Sequence, residues 1–153
     1  MKVVIVGCGR VGSVLAMELV GDGHQVTVVD SSRQAFDRLG VAFQGTMVLG
    51  NGTDQHVLEE AGAAEADWFI SVTNGDNRNI MSAQVAKEIF KIPRVMTRIY
   101  DPIRERVYRQ MGLYTYCPTV VGVAIAKTFF EAGPEAADRA REAVASTSGL
   151  PNA

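Results

Sequence analysis

The first twenty residues, MKVVIVGCGRVGSVLAMELV (Met1 to Val20), decide the fold. Lys2 to Val6 is short, β-branched and closed by glycine, which predicts a buried strand. Val11, Leu15, Leu19 and Val20 then recur at helical spacing until Gly21-Asp22-Gly23 stops them. Between strand and helix lies Gly7-Cys8-Gly9-Arg10-Val11-Gly12, a G-x-G-x-x-G run in the strand–loop–helix context that gives the motif meaning. Gly7 permits the tight turn, Gly9 lets backbone N–H groups approach a pyrophosphate, and Gly12 lets the helix pack closely on the strand. The helix N-terminus adds unpaired donors and the positive end of a dipole. The competing reading is a turn that merely reverses the chain. Strand, loop and helix agree, and together they favour a nucleotide.

The loop residues themselves, Cys8 and Val11 included, are the first candidate ligand contacts. Arg10 sits in the first helical turn, electrostatically a poor place for a cation unless a phosphate is nearby. Cys8 lies beside the same helix end, where a thiol pKa can fall. It reads first as a small residue in a crowded loop, with a redox sensor as the alternative, and Cys117 as a buried small hydrophobe.

Working outward, Gln25 to Val29 predicts a second buried strand that ends on Asp30, eighteen residues past Gly12. A carboxylate there can accept hydrogen bonds from both hydroxyls of an adenosine ribose and repels a 2′-phosphate. This favours NAD(H) or ATP, ADP or AMP over NADP. Asp30 also reads as a helix cap. Ser31, next to it, is a candidate contact too, and with Ser32 is expected to cap a helix carrying Ala35, Phe36 and Leu39. TMVLG (Thr46 to Gly50) reads as a third strand, and Asp54 starts a short helix.

Asp67 to Val72 reads as strand four. A long helix follows, with Ile80, Ala83, Ala86 and Phe90 on one face, then strand five over Arg94 to Ile99. Pro102 opens a helix running to Met111. LYTYC (Leu113 to Cys117) is strand six, and a helix is expected from about Val120. The segment from Gly133 reads as helical and the final STSGLPNA as frayed. Alternating strands and helices predict an α/β, Rossmann-like, doubly wound parallel sheet of six strands ordered 3-2-1-4-5-6 in one domain with a C-terminal helix.

Composition narrows the function. At 153 residues the chain makes one domain with a sizeable core. A formal charge of −2 supplies no basic field, so nucleic acid is not expected as a partner. Two cysteines make neither a disulfide framework nor a zinc cluster, which suits a reducing cytosol. The chain begins directly on a strand, leaving no room for a signal peptide, and no apolar run nears the ~20 residues that span a bilayer.

The run LGNGTDQHVLEEAGAAEADWFISVTNGDNRNIMSAQVAKEIF (Leu49 to Phe90) resembles the TrkA-N (RCK or KTN) nucleotide-binding domains that regulate potassium transporters and channels. The family's Gly-Asp-x-Thr turn, Leu-x-x-Ala-Gly helix end, Ala-Asp before strand four and Thr-x-x-Asp-x-x-Asn after it have counterparts here. These are Gly50 to Thr53, Leu58 to Gly62, Ala66-Asp67, and Thr73, Asp76 and Asn79. Arg98 with its acidic loop, and Met111-Gly112, extend the likeness, which runs from about Lys2 to Pro118. The resemblance implies that Gly7, Gly9, Arg10 and Gly12 hold phosphates and Asp30 the ribose. It places Asn51 and Gly52 near the adenine, with Thr53 in the same turn. Thr73 and Asn74 would border the phosphate or nicotinamide side, and Arg98 would reach a phosphate. Blander readings stay open: Thr73 and Asp76 as caps of the next helix, and Arg98 paired with Asp101. Two departures stand out. Asn51 replaces a common Asp, and Pro118-Thr119 stands where many members have Pro-Glu, whose glutamate joins a cation site, so no metal site is carried over. The RCK-C subdomain that often follows does not fit in this length, which leaves a single-domain form or a truncation.

A dehydrogenase needs a proton-transfer group and a substrate pocket, usually from a second domain. His24, in a turn, and His56, in a short helix, read as solvated. The reading is therefore non-enzymatic: a cytoplasmic regulatory subunit of a potassium uptake system or channel, binding NAD(H) or an adenine nucleotide as a conformational signal. It is peripheral to the inner face of the plasma membrane through a membrane-embedded potassium transporter or channel subunit. Residues 1–132 form the nucleotide domain and 133–153 a helical extension and tail. The apolar stretch Val120 to Phe130 suits self-association as a homodimer or higher ring, its alternative being a helix that covers its own sheet. The enzymatic alternative is the nucleotide-binding fragment of an NAD-dependent oxidoreductase.

Overall fold

A computed structural model describes residues 1–145; Ser146 to Ala153, the segment expected to fray, lie outside the described residues. The elements run β1 (Lys2–Val6), α1 (Arg10–Gly21), β2 (Gln25–Asp30), a 3₁₀ helix (Arg33–Leu39), β3 (Thr46–Leu49), α2 (Gln55–Glu60) and β4 (Trp68–Ser71). They continue with α3 (Asp76–Gln84), a π-helical turn (Val85–Ile89), β5 (Arg94–Arg98), α4 (Pro102–Gln110), β6 (Tyr114–Tyr116), α5 (Pro118–Ala132) and α6 (Pro134–Ala145). The six strands form one sheet in the order β3-β2-β1-β4-β5-β6, parallel throughout, as the alternating pattern predicts. No helix of the described residues is long and apolar enough to cross a membrane.

The strand period of two builds both layers of the core. On β1, Val4 and Val6 join Val29, Leu58, Phe69, Ala83 and Val95 on one face, under α2, α3 and α4. Val3 and Ile5 face the other way, onto Ala16 of α1 and Leu39 of the 3₁₀ helix. Fully burying a side chain of this size stabilises by about 1.5–3 kcal/mol, so a strand buried on both faces, as β1 is, anchors the sheet. Its ends are what the site is built on.

Three local expectations need correction. The segment after Ser32 is 3₁₀ rather than α-helical, and neither Ser31 nor Ser32 caps it with a side chain. Asp30 Oδ1 instead accepts the Ser32 N–H at 2.9 Å. The long helix after β4 widens at Val85: the Phe90 N–H reaches back five residues to the Val85 carbonyl, with Ala86 and Ile92 both buried. The helix expected from Val120 begins at Pro118, whose missing N–H costs nothing at the first helical position. The alternative weighed for α5, a helix that covers its own sheet, does not form. None of its residues is buried, its main packing partner is α6, and Phe130 is 89% exposed.

Candidate functional site

The carboxyl ends of β1 and β4 lie side by side at the switch point of the sheet, where crossovers leave in opposite directions and a crevice must open. The glycine loop fills one lip. Gly7 has φ +107°, a region closed to most side chains, and its N–H binds the Val29 carbonyl at 2.8 Å. A Cβ on Gly12 would lie 1.8 Å from the Gly7 carbonyl oxygen and 3.2 Å from the Val72 side chain, so only glycine lets α1 start this close to the turn. A Cβ on Gly9 would meet no protein atom within 4 Å, so packing does not demand that glycine. Gly9 is the N-cap of α1 and has no side chain to offer, and no acid lies in the first turn. The first-turn N–H donors thus meet no capping side chain.

Asp30 does more than sequence reasoning assigned. Its Oδ2 accepts the Cys8 N–H at 2.7 Å while Oδ1 holds Ser32, tying the glycine loop to the end of β2. Cys8 is fully buried, and burial, reinforced by the neighbouring Asp30 charge, pushes its thiol up to about 11. The first reading, a small residue in a crowded loop, fits this burial, and the redox alternative does not, since a protonated, buried thiol is a poor redox sensor. Cys117 is buried as anticipated. Across the cleft, Asn51 Oδ1 accepts from the N–H and hydroxyl of Thr53, closing a turn, and Gly52 packs so tightly on Val6 that a Cβ would sit 2.2 Å from a Val6 methyl.

The far wall hangs on Asn79, fully buried, a residue the motif contains but to which no role was assigned. Its Oδ1 accepts from the Thr73 N–H (2.8 Å) and hydroxyl (2.7 Å), and its Nδ2 donates to the carbonyls of Thr73 (2.9 Å) and Arg98 (3.0 Å). Arg98, 7% exposed, donates Nη2 to the carbonyls of Val72 and Thr73, each at 2.6 Å, and its guanidinium lies 4.6 Å from the Tyr100 ring centroid. Its Nε has no hydrogen-bond partner among the described residues. The Asp101 pairing considered from sequence does not form, because that carboxylate caps α4 by accepting from Ile103 and Arg104. Asp76 is likewise not the cap of α3; Gly75 takes that position, and Asp76 accepts the N–H groups of Tyr100 (2.8 Å) and Asp101 (3.2 Å). Thr73 makes only a long 3.4 Å contact with the Gly75 N–H, its main bond being to Asn79.

Every candidate residue except Gly12 lines a single cleft of about 690 Å³: Gly7, Cys8, Gly9, Arg10, Val11, Asp30, Ser31, Asn51, Gly52, Thr53, Thr73, Asn74 and Arg98. Gly12 lies beneath the loop it supports. The structure adds Arg38, Arg78, Tyr100, Tyr116 and Pro118. Tyr100 and Tyr116 were findable, since they stand at or just beyond the carboxyl ends of β5 and β6, where such folds bind ligands. Burial raises the Tyr116 phenol, partly offset by Arg98, so it stays a protonated donor. Arg38 and Arg78 carry no sequence signal. The Arg78 guanidinium reaches the Asn74 side-chain oxygen. Four arginines, Arg10, Arg38, Arg78 and Arg98, face one carboxylate, Asp30, an arrangement that favours an anionic ligand with hydroxyls at the Asp30 end.

Sheet order, glycine loop and cleft define a Rossmann-like domain of the mononucleotide- and dinucleotide-binding type. The chain belongs to the TrkA-N domain family, whose sequence profile matches residues 3–118. It is 50% identical over 123 residues to the Trk system potassium uptake protein TrkA of Streptomyces coelicolor, covering 80% of this chain and 53% of that protein. A TrkA homolog from Methanothermobacter thermautotrophicus is 36% identical over 113 residues, covering 74% of this chain and 52% of that protein. The chain therefore spans about half the length of these two relatives. Among solved structures, the Shewanella denitrificans Kef CTD in AMP-bound form superposes with a TM-score of 0.73 at 20% identity, over 96% of this chain and 92% of that one. The GsuK channel bound to NAD gives 0.64 at 21% identity, over 76% and 21%. At such identities the structural likeness is one of fold.

Proposed function

We propose that this chain is the nucleotide-sensing part of a regulatory, non-catalytic subunit of a potassium uptake system, read by a membrane-embedded transporter or channel at the cytoplasmic face. The observation that carries the reading is the cleft: helix donors, a ribose-competent Asp30 and four arginines converge at the switch point of the sheet. That charge pattern suits a phosphorylated adenosine, NAD(H) or ATP, ADP or AMP. The relatives' names support the transport setting, and the AMP and NAD in the neighbouring structures support the ligand class. Residues 1–132 would bind the nucleotide, and residues 133–153, α6 among them, would be a C-terminal extension of that domain.

Calorimetric titration with ADP, NAD and NADP tests this. Asp30→Ala is expected to weaken ADP and NAD by on the order of 10- to 100-fold, since it removes charge-assisted hydrogen bonds and unties Cys8. Wild-type protein that took NADP in preference to NAD would sink the role given to Asp30.

The same reading includes self-association. Val120, Val123, Phe129 and Phe130 of α5 are exposed, as is Tyr114 on β6. A second copy of this chain is the occupant that buries such a face twice for one set of residues. Sedimentation equilibrium is expected to return at least a dimer; a monomer throughout the micromolar range removes this element.

A further inference from the structure

Between the cleft and α5 stands one residue, Tyr100, whose polar groups point both ways. Its ring lies against the Arg98 guanidinium in the cleft wall, 4.6 Å from the centroid. Its N–H is held by Asp76 at 2.8 Å. Its carbonyl accepts the Thr119 hydroxyl at 2.8 Å and the Cys117 thiol at 3.3 Å, both at the start of α5. Since α5 buries none of its side chains and packs mainly on α6, these bonds at its first turn are a large part of what seats the helix on the sheet.

The other end of the chain of contacts is unsatisfied. Arg98 is 7% exposed, and its Nε is a buried donor with no acceptor among the described residues, which is unfavourable while it stays unpaired. An anionic group at the far wall supplies that acceptor, so it favours whichever arrangement of Arg98 presents Nε to it. A ligand can shift a conformational equilibrium only through such a difference in interaction. The Tyr100 ring packed on that guanidinium belongs to the same residue whose carbonyl holds the start of α5, so the contact joins the cleft wall to the helix.

We propose that Thr119 is a positioning residue that couples nucleotide occupancy to the seat of α5, through the Tyr100 carbonyl. The inference rests on the nucleotide reading of the cleft. Thr119 lies outside the cleft lining, which separates its effect on coupling from an effect on binding.

The experiment measures amide hydrogen exchange across residues 118–132 in the 153-residue chain, with and without saturating ADP, alongside calorimetric ADP affinity. Wild-type protein is expected to change exchange in the first two turns of α5 on binding ADP. Thr119→Val, which keeps the shape and deletes the donor, is expected to lose most of that ligand-dependent change while ADP affinity moves less than about threefold, under 1 kcal/mol. Thr119→Ser restores it. A purely structural hydroxyl would instead raise exchange equally with and without ADP. An unchanged ligand response in Thr119→Val, or a wild-type α5 indifferent to bound ADP, overturns the coupling and leaves the nucleotide reading intact. Failure of the wild-type chain to bind ADP, AMP or NAD overturns both.

Discussion

Replacing Gly12 by alanine is expected to abolish nucleotide binding and to lower the melting temperature by roughly 6–12 °C. The new methyl would sit 1.8 Å from the Gly7 carbonyl oxygen, and backbone cannot yield as a flexible side chain does. The Gly7 carbon at 3.0 Å and a Val72 methyl at 3.2 Å close the other directions. The first turn of α1 must therefore retreat from the end of β1, which misaligns its N–H donors. Overpacking of this kind costs about 3 kcal/mol, and each kcal/mol is worth roughly 2–4 °C in a domain of this size. Gly9→Ala is the matched control. Its Cβ meets no protein atom, and Gly9 has an ordinary φ of −79°, so it should melt like the wild type and lose affinity only through contact with the ligand. Thermal unfolding followed by calorimetry separates the two variants. A Gly12→Ala protein with wild-type melting would mean that α1 and the turn are not locked together as described.

The second large effect is expected at Asn79. One buried amide there satisfies the Thr73 N–H and hydroxyl and the carbonyls of Thr73 and Arg98. Asn79→Leu preserves the bulk and removes all four bonds, stranding polar groups in the cleft wall. The expected cost is about 3–4 kcal/mol, at the upper end for a single substitution, because stranded groups carry their desolvation penalty individually. Nucleotide affinity should fall with it, since Thr73 and Arg98 both line the cleft. Asn79→Asp keeps the accepting half but turns a carboxylate oxygen onto the carbonyls of Thr73 and Arg98, so at neutral pH it should be no more stable than the leucine variant. Denaturant unfolding of the three proteins gives the order. A leucine variant within about 0.5 kcal/mol of wild type, the range of neutral surface changes, would show that the amide is not holding the wall.

The two sites also show which parts of this molecule can be read without coordinates. The start of the chain is legible because its signals are local and agree: a β-branched run, three glycines and a helical period each point to the same turn. The caps at Asp54 and Asp101 are local too, each accepting from an N–H two residues on. Asp76 has the same local pattern and does something else, because Tyr100 lies 24 residues away along the chain and only the pairing of β4 with β5 brings it near. The alternative pairing of Arg98 with Asp101 fails for the same reason. A neighbouring aspartate is a cheap partner in sequence, but β5 turns the guanidinium onto the carbonyls that end β4.

The order of the strands, the place of the cleft and the glycine loop were legible in the sequence alone, because strand periodicity and crossover handedness leave a handful of arrangements and a glycine loop directly after the first strand selects among them. What only the tertiary structure decided is the wall opposite that loop: the Asn79 strut, the Arg38 and Arg78 contributions to its charge, and the seat of α5 on Tyr100. Those features depend on side chains from elements far apart in the chain meeting at one edge of the sheet. Periodicity reports which face a residue occupies; it carries no record of which distant carbonyl that face will find.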